Sequence, residues 1–332
     1  MRHTFQCLDG HTCGNPVRVI TGAVPDLVGQ TMAERRLDFI ANHDWIRTAL
    51  MFEPRGHDLM SGSILYPPIT EEADASILFV ETSGCLPMCG HGTIGTITLA
   101  LENGSITPRD RSRVVLDTPA GQVRAEIEWD GEHVSGVRIF NVPSFLYQSK
   151  ARLQVEGLGE LVVDISFGGN FYIIVEPQKQ FPGIDKVGVD WLLSHSLKVR
   201  AAASAQLSCM HPENRDIQGF HHVLWADKPM TDGAHARNAV FYGQRAIDRS
   251  PCGTGTSARM AQLAARGALK PGDEFVHESI IGSMFRGRVE GTTCVGDFDA
   301  ICPSVQGWAV QTGVNTIFVD DRDPFKHGFV VG

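Results

Sequence analysis

Apolar and polar residues alternate over short stretches through most of this chain, the pattern of half-buried strands. Residues 4–22 read as a strand, a turn containing Gly, Asn and Pro, and a second strand over 17–21. Strands are expected at 62–66 and 76–82, then at 114–116, 121–129 and 134–142, where turns such as Pro119-Ala120-Gly121 and Asp130-Gly131 join them. Helical spacing covers 31–50 and 190–203. Around residue 150 the pattern restarts. The run 161–167, Gly168-Gly169-Asn170 and 171–175 repeats the strand, Gly-and-Asn turn and strand of the first residues. Later strands are expected at 223–226, 236–241, 274–279, 284–289, 299–302 and 308–311, with a last apolar run at 316–319.

Two stretches break the alternation. Residues 93–101 are small and apolar with no obvious polar face, which suits a helix buried on all sides, and 257–265 read as a second small, apolar run. Asn103-Gly104 and Gly267 supply their stops. Each helix is entered through a related turn, Pro87-Met88-Cys89-Gly90-His91-Gly92-Thr93 and Pro251-Cys252-Gly253-Thr254-Gly255-Thr256. The cysteines lie 163 positions apart, about half of the 332 residues, which predicts two similar domains.

Cys89 and Cys252 both fall where a helix begins. There the dipole and the bare amides stabilise a thiolate and lower the thiol pKa. Two such thiols facing each other supply a base and an acid. The amides of Gly90, His91, Gly253 and Thr254 suit an anion such as a substrate carboxylate. A thiolate on one face of a chiral carbon and a thiol on the other is what a racemase without a cofactor requires. Asp248, four residues before Cys252, is a candidate for a cationic substrate nitrogen or else a turn aspartate. A redox or ligand-binding protein with the same paired cysteines is the alternative class.

The net charge of −9 argues against nucleic-acid binding, and no apolar run reaches membrane length. Met1-Arg2-His3-Thr4-Phe5 lacks a signal-peptide core, so a cytoplasmic location is the expectation. Eight cysteines in a chain of this size do not read as a disulfide framework. Cys85, Cys89 and His91 are close in sequence, but no second pair completes four ligands, so no metal is expected. There is no Gly-rich dinucleotide fingerprint or phosphate loop, and no cofactor is expected. Cys7, Cys13, Cys209, Cys294 and Cys302 read as small apolar fillers. Arg47, Arg55 and His57 suit anion binding and scaffold ion pairs equally, and Phe171 and Tyr172 suit the wall of a pocket for an apolar ring but read first as core.

The two cysteine turns, with Asp248-Arg249-Ser250 before the second, resemble the signatures of the proline racemase family. The resemblance continues through Asp9-Gly10-His11-Thr12-Cys13-Gly14-Asn15-Pro16, Glu53-Pro54-Arg55-Gly56-His57, Phe167-Gly168-Gly169-Asn170-Phe171-Tyr172 and Asp323-Pro324-Phe325. Ala236-Arg237-Asn238-Ala239-Val240-Phe241-Tyr242-Gly243 is similar to the 4-hydroxyproline 2-epimerase subgroup within it. The resemblance implies an α/β fold of α+β type, with two pseudo-symmetric domains, each a strand-rich sheet or barrel around a buried central helix, like diaminopimelate epimerase. The domains are expected at 1–150 and 151–315, with 316–332 returning to the first. It implies epimerisation at C2 of a small-molecule substrate, hydroxyproline or proline, with Cys89 as acceptor, Cys252 as donor and His222 as a substrate contact. A homodimer stays open. Cys252 argues against a 3-hydroxyproline dehydratase, which resembles this pattern with threonine there.

Overall fold

Parallel neighbours in a sheet need a crossover connection, and the helices of this chain supply them. The computed structural model describes residues 1–243 and 245–331. The chain divides into two units, Met1–Ile139 together with the chain from Gly307 onward, and Phe140–Gln306. The class is mixed α+β, rich in strands and poor in helices.

The first unit holds β1 (Arg2–Thr12), β2 (Asn15–Gly22), α1 (Met32–Asn42), α2 (Asp44–Met51), β3 (Ser61–Tyr66), β4 (Ala75–Glu81), β5 (Gly84–Leu86), α3 (Gly90–Glu102), β6 (Arg113–Thr118), β7 (Gly121–Asp130) and β8 (His133–Phe140), plus the last strand of the chain, β18 (Ala309–Asp320). Pairing runs β18–β1–β2–β3–β4–β6–β7–β8. The steps β2–β3 and β4–β6 are parallel and the others antiparallel. These are the steps spanned by α1 with α2, and by α3.

Helix α3 is buried from Gly90 to Ala100 and packs on β1, β2, β3 and β18. Its small residues allow that approach: a Cβ on Gly95 would lie 2.7 Å from Thr12 Oγ1 and 2.8 Å from Val17 Cγ2. Thr93 and Thr96 satisfy their buried hydroxyls by donating to the carbonyls of Cys89 and Gly92 at 2.8 and 2.6 Å. Helices α1 and α2 close a separate core with Phe5, Ile20, Phe39, Leu50, Leu78 and Cys85. The single helical segment expected over 31–50 is two helices. The chain leaves helical geometry at His43, and Asp44 starts α2 with a favourable charge at its N-terminus.

The second unit holds β9 (Ser144–Val155), β10 (Gly159–Phe167), β11 (Phe171–Val175), α4 (Ile184–Val187), α5 (Val189–Gln206), β12 (His222–Asp227), β13 (Ala236–Tyr242), β14 (Ala246–Ile247), α6 (Gly253–Ala265), β15 (Glu274–Glu278), β16 (Met284–Val295) and β17 (Phe298–Gly307). Pairing runs β9–β10–β11–β12–β13–β15–β16–β17. β17 then returns to β9, with Ala300 opposite Phe145 and Ile301 opposite Ser144, which closes the circuit. The parallel steps are β11–β12 and β13–β15, in the same places along the order as in the first unit. Helix α6 packs on β9, β10, β11 and β16.

The unit boundaries fall at 139/140 and 306/307 rather than near 150 and 315. Strand β9 starts the second unit at Ser144. Its middle, Gln148-Ser149-Lys150, is polar and carries a positive φ at Lys150, which hides the strand from a periodicity reading. Runs 308–311 and 316–319 belong to one strand, β18, because Thr312-Gly313-Val314-Asn315 masks its continuity.

Candidate active site

Cys89 is the N-cap of α3, in extended geometry. Its Sγ turns back over the first turn and accepts from the Gly92 N–H at 3.4 Å, where an oxygen of Ser, Asp or Asn usually sits. The His91 ring lies beside it, with Nδ1 3.4 Å from the sulfur. Asn15 Nδ2 donates to His91 Nε2 at 3.0 Å, which in the neutral ring leaves the proton on Nδ1, and the sulfur, 4.0 Å from Nε2 as well, lies against the ring rather than along the Nδ1–H bond. Thr12 Oγ1 donates to the His91 carbonyl at 2.8 Å. The β1–β2 turn thus holds His91, and His91 faces the cysteine. Glu81, at the end of β4, accepts from Ser61 Oγ at 3.1 Å and Ser83 Oγ at 3.2 Å. Ligand atoms of Glu81, Cys89 and His91 all lie within 4.8 Å of one another, and all three residues are buried.

Cys252 is the N-cap of α6 and repeats the contact, accepting from the Gly255 N–H at 3.4 Å. Its φ of 65° and ψ of 117° are rare for a side chain larger than glycine, so the surrounding turn must enforce them. Asn238 Nδ2 holds that turn by donating to the Pro251 carbonyl at 2.7 Å, and Thr256 Oγ1 lies 3.0 Å from His277 Nδ1. The close approach of Gly168 also braces it: a Cβ there would meet the Thr254 carbonyl at 2.3 Å. Tyr172 Oη is 3.3 Å from the Cys252 sulfur and 2.5 Å from Thr254 Oγ1.

Burial, and then the negative charge of Asp248, push the Cys252 thiol up to about 12. The expectation of a lowered pKa fails for Cys252, because desolvation and a nearby carboxylate outweigh one helix terminus. Asp248 itself is buried, and its Oδ1 accepts from the Ser250 N–H and Oγ, both at 2.8 Å, which is the turn role. His222 stacks on Tyr172 at 4.9 Å. Burial lowers its pKa to about 3, so the ring is neutral, and its buried Nδ1 has no hydrogen-bond partner among the described residues. The amides of Gly90, His91, Gly253 and Thr254 belong to first turns, which offer no intrahelical carbonyl.

Arg47 and Arg55 are scaffold residues. Arg47 pairs with Asp44, and Arg55 with Asp323 and the carbonyls of Phe325 and Lys326. Cys85 belongs to the α1–α2 core. Cys294 is exposed and Cys302 half-buried, so neither is a core filler; β16 and β17 turn these positions outward. Asn15 and Glu81 are the contacts that sequence reasoning missed, and the hydroxyl contact of Tyr172, read first as core, is the third. Asn15 lay inside a quoted motif, and Tyr172 carried a hydroxyl that a buried tyrosine must satisfy.

The family model for proline racemase matches residues 7–330. The chain belongs to the proline racemase family. Among its relatives, the 4-hydroxyproline 2-epimerases of Ancylobacter novellus and Paracoccus denitrificans are each 60% identical to it, covering 99% of both chains. The crystal structure of a hydroxyproline epimerase from Agrobacterium vitis, with bound trans-4-hydroxy-L-proline, superimposes with a TM-score of 0.88 at 31% identity, covering 99% of this chain and 95% of that one. A Bacillus anthracis protein of the PhzF family shares the fold, with a TM-score of 0.63 at 14% identity.

Proposed function

We propose that this chain is a 4-hydroxyproline 2-epimerase that interconverts trans-4-hydroxy-L-proline and cis-4-hydroxy-D-proline with two thiols and no cofactor. The repeated cap carries the reading: a cysteine starts the central helix of each unit, its sulfur held by the third amide of the turn. Family membership and the 60% identical epimerases set the substrate class. The common strand order supports treating the units as pseudo-symmetric copies, each built around its buried helix and like diaminopimelate epimerase in type.

In the written direction Cys89 is the base. The Gly92 N–H donates to its sulfur at the start of α3, where the helix terminus favours the thiolate. The Cα–H bond breaks and its proton goes to Cys89. Cys252, held as a thiol, gives its S–H proton to the opposite face of the carbon. The cysteines end with exchanged protonation states and reset through solvent, and the reverse reaction swaps their roles. The amides of Gly90, His91, Gly253 and Thr254 hold the carboxylate as charge spreads onto it. His222 serves the ring nitrogen or hydroxyl, and Asp248, whose Oδ1 holds the Ser250 turn, is the candidate for the cationic nitrogen.

The test is polarimetry in D2O with trans-4-hydroxy-L-proline, cis-4-hydroxy-D-proline and proline. Turnover should favour the hydroxylated substrates. Early product should carry deuterium while recovered starting material stays protiated, and Cys89→Ser should show no exchange. Product that retains substrate-derived protium at low conversion would contradict an independent acid, and faster turnover of proline would move the chain to proline racemase.

A further inference from the structure

Glu81 is the unusual member of the Cys89 site. Its carboxylate is buried, with 4% of the residue exposed, and among the described residues no lysine, arginine or histidine pairs with it; its partners are the hydroxyls of Ser61 and Ser83. A buried carboxylate without a counter-charge is costly, and a cation relieves that cost. The two groups nearest to hand are a thiol and an imidazole, both buried. Thiolate, imidazole and carboxylate together are a zinc donor set.

The distances fit. Tetrahedral zinc, with bonds of about 2.3 Å to sulfur and about 2.05 Å to nitrogen, places those two donors roughly 3.5 Å apart. Cys89 Sγ is 3.4 Å from His91 Nδ1 and 4.0 Å from Nε2, so the separation suits one ion once the imidazole turns its Nδ1 lone pair towards it. The Glu81 oxygen lies within 4.8 Å of both, so a small shift of its side chain closes the third bond. Asn15 can serve the bound state as well as the free one. With its amide turned over, the oxygen accepts from Nε2–H and leaves Nδ1 a bare ligand, the outer contact that metal-bound histidines usually have. A catalytic type of zinc site needs three protein ligands and an open fourth position, and this cluster offers three.

The geometry points to a site for a soft divalent cation, zinc in chemistry, on Glu81, Cys89 and His91, whose occupation takes the Cys89 sulfur out of use. On binding, the Cys89 S–H proton leaves to buffer and the freed sulfur lone pair forms the bond to the metal. The cation changes no oxidation state. The site itself stands apart from the epimerase reading, whereas its inhibitory effect rests on that reading.

Cobalt(II) is the spectroscopic probe and zinc(II) the inhibitor, both added to the full-length chain in a non-coordinating reductant. The expected result is one cobalt per chain, with a thiolate-to-cobalt charge-transfer band and tetrahedral visible bands. Cys89→Ala should lose the charge-transfer band and Cys252→Ala should keep it. Glu81→Gln should bind at least about tenfold more weakly. His91→Gln should weaken binding likewise, and it decides the point if Glu81→Gln does not fold by circular dichroism. Zinc should stop turnover and a chelator should restore it. A band that persists in Cys89→Ala, a band lost in Cys252→Ala, or the absence of stoichiometric binding would each overturn the site. Binding with turnover intact would overturn the inhibition. Absence of any hydroxyproline turnover would remove the epimerase reading and leave the spectroscopic arms to decide the site alone.

Discussion

Cys89 and Cys252 hold the same cap position with different neighbours. One sulfur lies against the His91 ring with Glu81 nearby, and the other faces a tyrosine hydroxyl with Asp248 raising its pKa. That contrast gives a direct test. Asp248→Asn keeps an oxygen for the Ser250 turn but removes the charge that raises Cys252, so the thiol pKa should fall. At mildly alkaline pH, iodoacetamide should then label Cys252 several-fold faster, approaching about tenfold for each unit of fall, as read by peptide mass spectrometry. An unchanged rate would mean that burial alone sets this thiol. The cysteines were legible in the sequence because a cap is a local device of four or five residues. Their partners were not. Asn15 and Tyr172 reach the site from 76 and 80 residues away, and no spacing rule spans that distance.

Helix α3 was legible for a similar local reason, since a run of small residues with no polar face has nowhere to go but inside, whereas α6 also buries Arg259 and Gln262 by pairing them with Glu176 and Asp164. What their small residues do is a tertiary fact. Gly95 lies against Thr12 and Val17 on the strands that support α3. Helix propensity alone predicts that Gly95→Ala stabilises by about 1 kcal/mol. The added Cβ instead overlaps Val17 on a strand that cannot yield freely, and overpacking of this kind costs about 1–3 kcal/mol. The expected net result is a loss of stability by urea unfolding, accompanied by slower turnover as Thr12 is displaced from the His91 carbonyl. A gain in stability would show that the strands relax. β9 was the element least legible, because its polar centre and positive φ at Lys150 break the alternation that announces a strand.

For the whole molecule, buried thiols make alkaline pH a stress. Cys7 and Cys252 are raised to about 12, and Cys85 and Cys209 to about 11, from an ordinary 9.0, chiefly by burial. Unfolded thiols release their protons near 9 while the folded ones keep them, so the unfolded state gains from rising pH. Stability from these groups is complete below pH 9 and is lost progressively as pH climbs from 9 towards 12. Urea midpoints under reducing conditions should fall across that window, and Cys7→Ala should flatten part of the fall. A midpoint unchanged between about pH 8 and about pH 10.5 would contradict it. The net charge was legible from composition. No helix among the described residues is long and apolar enough to cross a membrane.

The pairing of β1 with β18 has a temporal side. Phe5 lies opposite Ile317, so the two strands of this ladder are separated by nearly the whole chain. During synthesis β1 emerges first and waits for its neighbour, with one row of backbone donors and acceptors open to any passing strand. The circuit from β9 to β17 is contiguous in sequence and closes on itself, so it can be complete before the last segment appears. The first unit to be made is therefore the last to be finished. Its slowest step is a closure of very long sequence separation, the kind that loop entropy delays most.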